Sequence, residues 1–234
     1  MASSDTGNER PVELAARAAK QPGVRREGDQ EKPVGPKARR TRAALLQAAY
    51  DLFTEQSYSA TSVADITEAA GVSLGTFYQY FRDRAEVVGA LLHDHTARHM
   101  SRTETAWRPE EGWDGVYRVV HSFVSWYAEE AAFAEVWEEV CHVDEDVAEL
   151  RRDLARVFVE SVEHQLLRAS KAGVVRQFSP KTATLAARAL TGMVDRFCYV
   201  TYVFDPPEEG PPSPEVASRT LTDLWAAAIG MPVQ

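Results

Sequence analysis

Apolar residues recur at helical spacing from about Pro36 to the C-terminus, and no stretch alternates as a strand would. The first stripe is Leu45, Ala48, Ala49, Leu52 and Phe53, closed by Ser57-Tyr58-Ser59. Ser62 then reads as an N-cap with Asp65 three residues on, a capping-box variant ahead of Val63, Ile66 and Ala70. Gly71 stands where that helix must end, a position that favours a left-handed residue. Ser73 opens a third short helix that turns Phe77 and Phe81 inward, and Asp83 starts a fourth running through Val87, Val88, Leu91 and Leu92 towards Arg102.

The second half keeps the same period. Phe133, Val136, Trp137, Val140 and Cys141 form one stripe, with Glu135, Glu138, Glu139 and His142 on the polar side. Leu150, Leu154, Val157, Phe158 and Ser161 form the next. Ser179-Pro180 and Ser213-Pro214 each pair an N-cap with a proline at the first helical position. The helix from Ser179 has two apolar faces: Leu185, Ala189, Met193, Phe197 and Val200 on one, Leu190, Val194, Cys198 and Tyr202 on the other. A helix apolar on two sides is buried on two sides. With the final helix it can build a four-helix dimer interface through Leu190, Val194, Cys198, Tyr202, Leu221 and Trp225. The same faces also suit a thick core within one protomer, and periodicity does not choose between them. The predicted fold is all-α: an arm over 1–36, a three-helix helix-turn-helix over 37–84, and a further helical domain over 85–234, to which the resemblance given below assigns effector binding and dimerisation.

Charge sharpens this division. The chain carries −9 overall, yet Met1–Arg42 holds ten Lys/Arg against six Asp/Glu, a net of +4 that leaves −13 for the rest. A basic, disordered arm therefore leads into the helix-turn-helix, and an acidic body follows. Phosphates would repel that body, so one end only should face DNA. No apolar run reaches the roughly 18 residues a membrane span needs, and MASSDTGNER lacks a signal peptide's apolar centre. The expected location is the cytoplasm, without a membrane partner. Cys141 and Cys198 cannot form a disulfide scaffold and read as buried thiols.

The segment TSVADITEAAGVSLGTFYQYFRDR, Thr61 to Arg84, carries the sharpest signal. A helix-turn-helix lays its second helix in the major groove with base contacts from its N-terminal part. That helix begins at Ser73, which brings Leu74 and Gly75 nearest the base edges. Leu74 can offer a methyl contact alone, Gly75 permits close backbone approach, and Gln79 suits an adenine edge. Arg40 and Arg42, with Arg39, can add backbone or minor-groove contacts, although a solvated basic linker also explains Arg39. Tyr80 suits a phosphate contact through its hydroxyl, or a half-buried core ring.

From Arg40 to Leu92, through AALLQAAYDLF and AGVS-x-GT-x-Y-x-YF, the chain resembles the tetracycline-repressor (TetR) family of bacterial transcription regulators. Arg84 stands where the family usually has Lys. The resemblance implies that Thr61, Thr76, Tyr78, Tyr80 and Arg84 hold phosphates, fixing register without reading sequence. It also implies a homodimer on a double-stranded palindromic operator, and a pocket for a small-molecule effector coupled to the heads through the Asp83–Arg102 helix. Repression is the family's habit. Tyr117, Phe123, Trp126, Tyr127, Phe133, Trp137, Phe158, Met193 and Phe197 are the candidates for the pocket, and an apolar or aromatic effector suits them.

Other chemistries find less support. His95 and His99 stand one turn apart, a spacing able to ligate zinc, but two histidines on a polar face also arise by chance. A di-iron bundle needs two Glu-x-x-His motifs, and Glu139 to His142 supplies one. Walker loops, nucleophile elbows and Cys-x-x-Cys pairs are missing. No enzyme, cofactor or metal is expected.

Overall fold

The computed structural model describes residues 33–101 and 107–232, with 95–101 as backbone alone. Most of the expected basic arm, to residue 32, and the side chains of His95 and His99 lie outside the described residues. Within them stand nine α-helices and no strand: α1 (Pro36–Gln56), α2 (Val63–Ala69), α3 (Leu74–Tyr80), α4 (Arg84–Ser101), α5 (Gly112–Glu129), α6 (Ala131–Val143), α7 (Glu145–Lys171), α8 (Pro180–Tyr199) and α9 (Pro214–Ile229). A 3₁₀ turn at Pro109–Glu111 precedes α5, and a π turn at Val200–Phe204 widens the end of α8.

The helix ends follow local chemistry. Pro36 starts α1 behind Gly35, whose φ of 106° suits glycine. Ser62 and Asp65 form the reciprocal capping box, Ser62 N–H donating to Asp65 Oδ2 at 2.7 Å and Asp65 N–H to Ser62 Oγ at 3.2 Å. The Ser62 hydroxyl and then its N–H, both donating to the carboxylate, hold the Asp65 carboxyl below its ordinary pKa. Gly71 leaves α2 at a φ of 65°, and Ser73 caps α3 by accepting from Thr76 N–H at 3.1 Å. Ser179 and Ser213 cap α8 and α9, each ahead of its proline.

Backbone contacts sort the described residues into two compact units, 33–96 with Ala132–Arg152, and 97–131 with 153–232. The first, called the head unit here, contains the helix-turn-helix and extends beyond the 37–84 segment marked by sequence. The reason is packing. Phe133 is fully buried with its ring 5.7 Å from that of Tyr50, and Val136, Val140 and Val147 are buried in the same unit as Leu45, Phe53, Ile66, Phe77, Val87 and Val88.

The second, the body unit, is built on α5, which packs against both α8 and α9. Val116, Val120, Val124, Leu166, Ala187, Leu221 and Ile229 are buried, each such aliphatic side chain larger than alanine contributing about 1.5–3 kcal/mol. Two hydrogen bonds pin α5 to its neighbours: Trp113 Nε1–H donates to Asp223 Oδ1 at 2.8 Å, and Tyr127 O–H to Asp195 Oδ1 at 3.1 Å.

Leu190, Val194, Cys198, Tyr202, Leu221 and Trp225 are all buried inside the single chain, in keeping with the thick core that the same faces also suit. The cause is α5, which covers this side of both helices. The opposite side stays open: Leu185, Val216 and Leu224 are 59%, 61% and 54% exposed, with Ala189, Gly192 and Ala228 also exposed.

Candidate nucleic-acid interface and effector cavity

Helix α3 divides its residues cleanly between two environments. Phe77, Phe81 and the Tyr80 ring turn into the head core, while Ser73, Leu74, Gly75, Tyr78 and Gln79 are exposed. Leu74 and Tyr78 are 50% and 54% exposed, a large apolar presence for a solvated helix. The Tyr78 ring meets Phe77 edge-on at 5.4 Å, which orients the phenol while its outer edge remains open. The nearest non-local atom to a Cβ placed at Gly75 would lie 3.9 Å away, so the fold itself does not demand glycine there. Thr76 is half-buried, its hydroxyl 2.9 Å from Ser73 Oγ.

Two residues expected at phosphates serve the turn between α1 and α2. Thr61 is 1% exposed and its Oγ1 donates to Ser57 O at 2.9 Å, so that hydroxyl is committed within the head. The Arg84 guanidinium lies 4.4 Å above the Tyr58 ring and donates through Nη1 to the carbonyls of Tyr58 and Thr61. Burial, partly offset by Arg84, raises the Tyr58 phenol above its ordinary pKa.

The other side of this turn is held by Glu139 on α6. Its carboxylate accepts from Tyr58 N–H at 3.1 Å and Ser59 N–H at 3.0 Å, and also from the Ser59 hydroxyl. Arginine satisfies the carbonyls of the turn and glutamate its amides. Sequence alone placed Glu139 on a solvated acidic stripe, and no local pattern could reveal a partner 80 residues away. Arg82 and Asp146 form a second link to the start of α7 at 2.9 Å.

The basic residues of α1 also differ from one another. Arg40 is exposed. Arg42 is half-exposed, bonded to Asp94 Oδ2 at 3.3 Å with its guanidinium 5.7 Å from the Phe81 ring centre, so it joins α1 to α4.

The aromatic candidates do not form one group. Phe133 and Trp137 are buried in the head unit and belong to its core. In the body unit Tyr117 stacks on Trp113 at 5.2 Å, Phe123 lies 5.4 Å from Tyr127 and 6.5 Å from Phe158, and Trp126 meets Tyr127 edge-on at 5.0 Å. Met193 and Phe197 are half-buried on α8. A cavity does exist there, between α5, α7 and α9, with an empty volume of about 410 Å³ including its mouth. Of the nine candidates, Phe158 alone lines it, and Trp225, expected at the dimer face, is another of its walls. Trp107, Val116 and Val120 complete the apolar side, and Ser161 and Gln165 supply polar groups. A chance ring spacing along a helix says little about which rings meet an empty space, and that is why periodicity missed the valine wall.

Cys141 and Cys198 are free thiols, and burial pushes the Cys141 thiol up to about 11. Among the described residues no three His, Cys, Asp or Glu side chains gather as a metal site would require. None of their helices is long and apolar enough to cross a membrane.

Comparison with known proteins adds lineage to this geometry. Residues 45–91 match the model of bacterial regulatory proteins of the tetR family. The HTH-type transcriptional regulator TtgR of Pseudomonas putida is 30% identical over 169 residues, covering 70% of this chain and 78% of the relative. NalD, the secondary repressor of the MexAB-OprM multidrug efflux pump in Pseudomonas aeruginosa, superposes with a TM-score of 0.66 at 21% identity, over 83% of this chain and 98% of its own. SmeT, the repressor of the Stenotrophomonas maltophilia multidrug efflux pump SmeDEF and also known as a triclosan complex, gives 0.63 at 22% identity over 81% and 91%. With a helix-turn-helix that turns polar and aromatic side chains outward, and a relative that matches most of its length, this chain belongs to the TetR family of DNA-binding transcriptional regulators.

Proposed function

We propose that the protein is a homodimeric repressor that holds a palindromic operator and leaves it when a small, largely apolar or aromatic molecule enters the body unit. The observation that carries the reading is the exposed face of α3. Leu74, Gly75, Tyr78 and Gln79 have no role in the head core, yet they sit where a recognition helix meets bases and phosphates. Gln79 reads a base edge, Leu74 makes an apolar contact, and Ser73, Thr76, Tyr78 and Tyr80 position the backbone with Arg40. For Thr61, Arg42 and Arg84 the proposal is indirect: they hold the turn and helix ends that set the angle of α3.

The dimer is proposed on the open side of α8 and α9, through Leu185, Val216 and Leu224 around the small residues Ala189 and Ala228. Exposed apolar residues on α8 and α9 support an interface. The effector is proposed for the cavity of α5, α7 and α9, and the triclosan complex of SmeT is in keeping with an aromatic one.

Selection from random duplexes tests the whole reading. An enriched inverted repeat with half-sites about one helical turn apart is expected, and a pool without any motif at low salt refutes operator recognition. Leu224→Asp should yield monomers by light scattering and lose the palindrome; a dimer that survives sends the interface elsewhere.

A further inference from the structure

Buried tryptophans usually find a partner for the indole N–H, because a donor taken from water without an acceptor is costly. Trp113 obeys this rule with Asp223. Trp107 and Trp225 do not: each is 6% exposed, and each Nε1 is buried with no hydrogen-bond partner among the described residues. Both rings line the same cavity. Unsatisfied buried donors are few in any native protein, so two on one small cavity call for a shared explanation.

The rest of the wall narrows that explanation. Apart from the two indoles, it is made of valines, Phe158, Ser161 and Gln165, and no charged side chain among the described residues lines it. Ser161 and Gln165 stand one turn apart on α7, and Gln165 Oε1 accepts from Arg168 Nη1 at 3.4 Å. The two indole N–H groups are therefore the donors on this largely apolar wall that lack a partner among the described residues. A carboxylate or an ammonium would lose its hydration there without a counter-charge.

Trp107 is also held in place by a glycine. A Cβ at Gly115 would lie 2.8 Å from Trp107 Cδ1, the atom bonded to Nε1, so only glycine lets that edge of the indole approach α5. The position of this donor is built into the sequence of the helix.

We infer that the cavity takes an uncharged, mostly apolar molecule bearing carbonyl or ether oxygens that accept from the Trp107 and Trp225 indole N–H groups. The inference rests on the effector reading above and deepens it from apolar in general to acceptor-bearing in particular. Both nitrogens are closed over by neighbouring atoms, so small shifts of the surrounding side chains accompany entry.

The test uses α-tetralone and tetralin, one carbon skeleton with and without a carbonyl, on the full chain. Equilibrium dialysis measures both affinities, and ¹⁵N–¹H spectra follow the indole N–H signals of the five tryptophans. The signals missing in Trp107→Phe and Trp225→Phe should move downfield with tetralone and not with tetralin. The preference for tetralone over tetralin should also fall on the order of tenfold in each variant, the value of about one hydrogen bond. If both compounds bind while those two signals stay unmoved by tetralone, the donor inference is overturned and the apolar pocket stands. If neither compound binds, the effector cavity itself is refuted, and this inference with it. The spectra of the intact chain decide the matter even if a variant folds poorly.

Discussion

The α1–α2 turn of the head unit and three buried indoles of the body unit treat their polar groups differently. In the head, the turn from Ser57 to Thr61 has its amides on Glu139, its carbonyls on Arg84 and its threonine hydroxyl on Ser57 O. In the body, the indole nitrogens of Trp107, Trp126 and Trp225, and the Ser218 hydroxyl, are buried without partners. A surface that must match the fixed spacing of a DNA groove gains from a turn whose amides and carbonyls are tied down by side chains. A cavity that must accept a guest gains from donors left for the guest to satisfy. The difference teaches where this protein keeps its shape and where it keeps its chemistry open.

Breaking the clamp around the α1–α2 turn should give the largest effect. Arg84→Ala and Glu139→Ala should each lower stability by about 1–3 kcal/mol, since each leaves turn groups unpaired. Their double variant should lose less than the sum, because both act on one turn. Thermal melts read the coupling, and strict additivity would show that the two contacts work independently.

Two hydroxyls sharpen the contrast. Thr61→Val removes a buried donor whose partner, Ser57 O, remains, and should destabilise by about 1 kcal/mol. Ser218→Ala removes a fully buried hydroxyl that has no partner, and should stabilise by a similar ~1 kcal/mol. Equal signs in denaturant titrations would erase the distinction between the units.

The smallest effect concerns acid. Ser62 holds the Asp65 carboxyl below its ordinary pKa, so the ionised form is favoured in the folded state. The stability this contributes is present above the usual carboxylate range and is lost as pH falls through the lowered value. Ser62→Ala should flatten that acid limb of the melting profile while leaving α3 intact; an unaltered limb would assign the acid sensitivity to another carboxylate.

Eight of the nine helices, the serine caps of α2, α3, α8 and α9 and the inward residues of the helix-turn-helix were legible in the sequence, because they depend on spacing and on groups within about four residues, whereas α5 was not marked out as a helix of its own. So was the outward face of α3, where a polar and aromatic edge stands opposite Phe77 and Phe81. The roles of Arg84, Thr61 and Glu139 were not legible. Each depends on a partner brought close by the turn or by a distant helix, and Glu139 looks like any solvated acid on its own stripe.

Periodicity along α8 and α9 likewise established two apolar faces without telling which one α5 covers. That choice rests on how three helices pack, and it moved Trp225 from an expected dimer face to the wall of a cavity. Sequence determined what each helix could bury, since that is a property of its own spacing. Tertiary structure decided which surfaces meet, which donors find acceptors and which are left waiting, since those depend on distances between residues far apart in the chain.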